Sequence, residues 1–114
     1  YVLYDSLSEN IHCIDPLGYI DMLHLMKHAQ KILTDSGGIQ KEAYVLGIPC
    51  ITLRENTEWI ETLGGGWNVL VGADRKKILD AMTRDIPTGA DNSVFGKGDA
   101  AVRITRVINE YAGI

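Results

Sequence analysis

One short stretch carries the clearest chemistry in this 114-residue chain: Leu33-Thr34-Asp35-Ser36-Gly37-Gly38-Ile39-Gln40-Lys41-Glu42. An apolar run ends at Thr34, and small residues turn the chain straight into a helical pattern. Gly37 and Gly38 let a ligand approach the backbone, and the unpaired amides of a helix start point outward. The helix dipole places about half a positive charge there, worth about 0.3–1 kcal/mol to an anion. This is a cradle for an anion, phosphate above all, and Ser36 adds a hydroxyl donor. The Gly-Lys-Ser/Thr ending of a Walker loop is absent, and the glycine spacing is not that of a dinucleotide fingerprint. A tight strand-to-helix turn without a ligand is the plainer reading of the same spacing.

Glu42 follows about one turn past Gly38, where a carboxylate can accept two hydrogen bonds from a vicinal diol such as a ribose. A glutamate near a helix N-terminus is also favourable with no ligand present. Arg54 ends a later apolar run, and its guanidinium could pair with phosphate oxygens. Thr57 and Glu58 sit at a further helix start, where Asn56 or Thr57 alone reads as an N-cap. His24 and His28 stand four apart on a predicted helix, but no third ligand and no intervening Glu accompany them, so no metal site is expected. Ser36 has Asp35 beside it and no placed His, which leaves no hydrolytic triad.

The elements that position these residues alternate. Ile11–Ile14, Lys31–Thr34, Cys50–Leu53 and Asn68–Val71 read as short strands. Helices are expected from Asp15-Pro16, with Tyr19, Met22, Leu23, Met26 and Ala29 on one face, and from Gly38 to Leu46, where Gly47 and Pro49 stop it. A short helix is expected after Asn56-Thr57, ending at Gly64-Gly65-Gly66. Two more follow, Arg75–Arg84 capped by Asp74 and Asp99–Tyr111, separated by a loop over Asp85–Gly98. Strand–helix alternation predicts an α/β fold, a Rossmann-like parallel sheet flanked by helices. Ligands of such sheets bind beyond the carboxyl ends of the strands. That rule gathers Asp15-Pro16, Thr34–Gln40, Arg54–Glu58 and Gly72–Asp74 at one edge.

The length allows one domain, spanning 1–114, and 46% hydrophobic residues can build a core. A net charge of −4 argues against a nucleic-acid or anionic-membrane surface. No apolar stretch reaches the roughly 20 residues of a membrane span. Cys13 and Cys50 lie in predicted buried strands and read as reduced thiols of a cytoplasmic protein. The opening Tyr1-Val2-Leu3-Tyr4 has neither Met nor a capping signal, and the domain is expected to be incomplete on its N-terminal side.

Taken together, Asp15-Pro16-Leu17-Gly18-Tyr19, Thr34 to Glu42, Gly47-Ile48-Pro49, Leu53 to Glu58, Leu70-Val71-Gly72 and Gly96 to Ala100 resemble the C-terminal part of the non-hydrolysing UDP-N-acetylglucosamine 2-epimerases. The likeness runs from about Ile11 to Ile108. It implies the C-terminal half of a glycosyltransferase-B-type two-domain architecture. By that resemblance Ser36 and the amides of Gly37 and Gly38 would hold the diphosphate. Glu42 would bind the ribose, and the helix from Gly18 would flank the uracil with Met22 where relatives place an aromatic. Arg54, Thr57 and Glu58 would complete the substrate site. The reaction would be elimination of UDP and its re-addition, with the acid and base groups outside this chain and no cofactor. Expected partners are a UDP-sugar, the N-terminal domain of the same protein and a second copy. Three positions depart from the family pattern: Met22 in place of that aromatic, Lys41 where Glu is frequent, and Trp59 where Arg is frequent in a Thr-Glu-Arg-Pro-Glu motif. A sugar-transferring enzyme of the same architecture and a non-catalytic nucleotide-sugar sensor are the rival readings.

Overall fold

The computed structural model describes residues 8–91 and 93–113. In order, its elements are α1 (Tyr19–Lys27), β1 (Ile32–Thr34), α2 (Gly37–Leu46), β2 (Cys50–Thr52), a 3-10 segment (Ile60–Gly66), β3 (Asn68–Leu70), α3 (Arg75–Thr83) and α4 (Ala100–Ala112). The strands form one parallel sheet in the order β1-β2-β3. The expected α/β architecture is therefore present.

Central strand β2 is buried along its whole length, and its alternating side chains divide the core. Cys50 points to one face, where Met26 of α1 and Ala43 of α2 close over it. Ile51 points to the other, against Val71 and Ala81 of α3. Helices thus cover both faces, as a parallel sheet requires. Burial pushes the Cys50 thiol pKa up, which keeps it protonated and inert.

Gly47 ends α2 in the left-handed conformation, φ 70°, with its amide donating to the Tyr44 carbonyl at 3.0 Å. A side chain there would be strained. Asp74 caps α3, its Oδ1 accepting from the Lys77 amide at 2.9 Å. The other end of α3 is held from across the fold. Lys31 Nζ donates to the carbonyls of Ala81 at 3.3 Å, Met82 at 2.6 Å and Arg84. A cation here satisfies orphan carbonyls and the negative end of the dipole together.

Three expectations need correction. Ile11–Ile14 is not a strand: these residues have no regular structure, and Ile11 and Ile14 are exposed. A β-prone sequence needs a ladder partner, and no described strand pairs with it. Cys13 is accordingly exposed rather than buried. Helix α1 starts at Tyr19 with Gly18 as its N-cap, not at Asp15-Pro16. The helix expected after Thr57 is a 3-10 segment that begins only at Ile60. Thr57 Oγ1 accepts from the Trp59 amide at 3.0 Å, a local bond that competes with a helical start. The opening residues Tyr1–Tyr4 lie outside the described residues.

Helix α4 has the expected bounds within a residue at each end but buries none of its side chains. It stands off the rest, giving a radius of gyration of 17.9 Å against about 13 Å for a compact chain of similar length. The outer edge of β1 pairs with no strand among the described residues, and Leu33 there is exposed.

Replacing Lys31 by Met should lower stability by about 1–2 kcal/mol, the loss of a charged cap that bonds several carbonyls. Denaturant unfolding of the full-length variant, followed at the transition of this domain, checks it.

Candidate functional site

The site forms at the carboxyl edge of the sheet. Thr34 Oγ1 accepts from the Ser36 amide at 3.0 Å and turns the chain out of β1. Ser36 is the N-cap of α2, and its hydroxyl makes no capping bond. The first helical bond runs from the Gln40 amide to the Ser36 carbonyl at 3.3 Å. The amides of Gly37, Gly38 and Ile39 therefore lie ahead of the ladder, free for an outside acceptor. Beside them, Leu53 N donates to Thr34 O at 2.8 Å and Gly72 N to Arg54 O at 3.1 Å. These bonds extend the ladder and bring Arg54 alongside the start of α2.

A buried polar network fixes this edge. Gln40, fully buried, donates from Nε2 to the Ser36 carbonyl at 3.3 Å. Its Oε1 accepts from Thr57 Oγ1 at 2.6 Å and Asn68 Nδ2 at 3.0 Å. Asn68 also donates to Thr62 Oγ1 at 2.9 Å and accepts from Thr52 Oγ1 at 2.6 Å. The amide oxygens and nitrogens of both residues are thereby paired, as buried polar groups must be. Sequence reading singled out Thr57 for the substrate, but its hydroxyl is engaged inside this network. Gln40 and Asn68 were missed as organising residues. A polar residue inside an apolar strand run, Asn68, and Gln40 on the inward face of α2 were the available signals.

The segment after β2 lies over the start of α2. Arg54 Nη1 meets Glu58 Oε2 at 3.1 Å, and Nη2 meets Asn56 Oδ1 at 3.2 Å. The Glu58 carboxylate rests against Gly37, where any added Cβ would collide with it. Trp59 Nε1 lies 3.6 Å from the same point. The Lys41 ammonium stacks 4.8 Å from the Trp59 ring centroid and 5.0 Å from that of Phe95. Two of the departures from the family pattern, Lys41 and Trp59, thus touch each other, forming a cation–π pair.

On the other side of α2 a cleft of about 400 Å³ opens between α1 and α2, lined by Tyr19, Leu23, Gly38, Glu42, Val45 and Leu46 among others. The Tyr19 hydroxyl lies beside the Glu42 carboxylate, whose acceptor oxygens and negative charge raise the phenol pKa. Met22 faces the core instead, packed on Met26, Ala43 and Cys50. Tyr19 and Leu23 form the α1 wall of the cleft. Helical spacing had put Tyr19 on the core stripe, yet at the first turn of α1 it overhangs Glu42 instead. His24 and His28 stack at 4.6 Å, and His28 Nδ1 bonds the His24 carbonyl at 2.8 Å. Among the described residues, no group of three or more His, Cys, Asp or Glu could hold a metal. No helix there is long and apolar enough to cross a membrane.

A parallel α/β sheet with free helix-start amides and a carboxylate one turn on is the architecture of a nucleotide-binding half-domain. The sequence profile for UDP-N-acetylglucosamine 2-epimerase matches residues 1–109, and the chain belongs to that family. A UDP-N-acetylglucosamine 2-epimerase homolog of Methanococcus maripaludis is 47% identical over 95% of this chain. A UDP-2,3-diacetamido-2,3-dideoxy-D-glucuronate 2-epimerase of Pseudomonas aeruginosa is 40% identical over 90% of it. The Methanocaldococcus jannaschii UDP-GlcNAc 2-epimerase, solved with UDP-GlcNAc and UDP, superposes with a TM-score of 0.81 at 43% identity, over 96% of this chain and 31% of its own. The chain spans 31% and 30% of the lengths of the first two relatives.

Gln40→Leu should destabilise the domain by about 1–3 kcal/mol for each polar group it strands, seen as a lowered unfolding midpoint. An unchanged midpoint would show that water substitutes for the amide.

Proposed function

We propose that this chain is the UDP-binding part of an enzyme that interconverts UDP-N-acetylglucosamine and UDP-N-acetylmannosamine by elimination and re-addition of UDP. One observation carries the reading: the free amides of Gly37 and Gly38 and the Glu42 carboxylate line one helix beside a cleft of nucleoside size. The amides and the Ser36 hydroxyl take the diphosphate, with the dipole of α2 behind them. Glu42 takes the ribose hydroxyls, with Tyr19 beside it in the same cleft. The base lies along α1, on Tyr19 and Leu23, with Met22 backing that wall. Arg54 and Glu58 border the diphosphate, and Thr57 acts through Gln40 rather than on the ligand.

The sugar projects past the diphosphate, away from these residues. Its acid and base groups must lie within about 3 Å of the reacting proton, and the described residues supply none placed for it. They belong to the rest of the polypeptide, an N-terminal domain that completes the two-domain enzyme. The same domain covers the bare apolar stripe of α4, Ile104, Val107 and Ile108. The enzyme is cytoplasmic, and a homodimer is the expected assembly. The Pseudomonas relative is named for a different UDP-sugar, which fits a chain that grips the shared UDP.

In the full-length protein, Glu42→Ala should weaken UDP by about 1.5–3 kcal/mol, as for hydrogen bonds to a charged group, read by calorimetric titration. Unchanged affinity removes Glu42 from the site. Product NMR separates the rival activities: a manno epimer formed without an acceptor supports the epimerase, and acceptor dependence supports a transferase. His24 and His28 should hold no catalytic metal, and His24→Ala should leave the metal content of the purified full-length protein unchanged. A stoichiometric metal whose chelation abolishes activity and which His24→Ala loses would contradict that.

A further inference from the structure

The amino end of α2 is not bare. The Glu58 carboxylate sits against Gly37 and is paired with Arg54 at 3.1 Å. The Glu58 carboxylate thus lies beside the positive helix end, at the side of Gly37, as well as on the guanidinium, an anion supplied by the chain itself. The segment carrying it is fastened at both ends. Arg54 is bonded into the sheet edge through its carbonyl at 3.1 Å, and Trp59 is stacked against Lys41 of α2. Between these fixed points the Glu58 side chain is half exposed. Its two attachments, a partly exposed ion pair and a helix-end contact, are each weak.

We propose that Glu58 is the resident anion of the cradle: it holds Arg54 and the start of α2 while the site is empty, and a diphosphate must displace it to bind. This inference rests on the reading of α2 as the diphosphate site. Two anions cannot share one helix end without repulsion, and a diphosphate brings more charge and more acceptor oxygens than a carboxylate. On entry it takes the amides of Gly37 and Gly38, and Arg54 exchanges Glu58 for a phosphate oxygen. Trp59 makes Glu58 more effective. Family members often carry a further Arg there, whereas this chain has an indole that adds no positive charge, its Nε1 3.6 Å from the point where a Gly37 Cβ would stand. Glu58 therefore weakens the grip on the diphosphate and speeds release of UDP, while a ligand lacking phosphate does not meet it.

The test titrates full-length wild type and Glu58→Gln with UDP and with uridine, thermal unfolding confirming that both are folded. Glutamine keeps the shape and removes the charge. UDP should bind the variant about two- to fivefold more tightly, the usual range for one charge at a helix end, with slower UDP dissociation, and uridine affinity should not change. Equal or weaker UDP binding by the variant, with wild type binding normally, overturns this inference alone and makes Glu58 a spectator or a direct contact. A parallel gain for uridine also overturns it, because the effect is then not on the diphosphate. A wild type that binds no UDP fails the reading of the site as a whole and takes this inference with it.

Discussion

The Gln40 side chain joins parts of the molecule that are distant in sequence. Its nitrogen holds the Ser36 carbonyl, the cap of the helix to which it belongs. Its oxygen gathers Thr57, from the segment after β2, and Asn68, from β3. A fully buried amide is stable only when its donors and acceptors are met. Those bonds in turn dictate where the turn after β1, the Arg54–Trp59 segment and the start of β3 can lie. The position of the free amides at Gly37 and Gly38 follows from this joint, not from the short strands, which contribute only three residues each.

The surrounding charges build on that frame. The helix end is positive by geometry, Arg54 is brought beside it by the extended ladder, and Glu58 occupies the space that glycine at position 37 leaves open. Lys41 is drawn away from this cluster toward two aromatic rings. The cleft on the other side of α2 presents Glu42 and Tyr19 side by side. A single helix thus offers two kinds of recognition on adjacent faces, dipole and amides at its tip and a carboxylate along its side.

Much of this was readable in the amino-acid sequence. Strand, turn and helix over Leu33–Glu42 follow from an apolar run meeting glycines, and Asp74 and Gly47 act as the caps their residue types suggest. Local signals of that kind survive because their partners are close along the chain. The failures share a cause. Ile11–Ile14 has strand composition, but pairing is a long-range matter. Met22 and Tyr19 fall on one helical stripe, and only the packing of α1 on α2 decides which is buried. Thr57 is a reasonable ligand residue until Gln40, 17 positions away, engages its hydroxyl. The contact of Lys41 with Trp59 was invisible for the same reason, since each was a separate departure until the fold joined them.

The central claim is that the start of α2 receives a diphosphate and Glu42 a ribose. A crystal structure of the full-length protein with UDP tests it most directly. The account predicts phosphate oxygens about 2.7–3.2 Å from the amides of Gly37 and Gly38, ribose hydroxyls on Glu42, and Glu58 withdrawn from Gly37. UDP bound elsewhere, with Glu58 still seated against Gly37 and no ligand at Glu42, would contradict it.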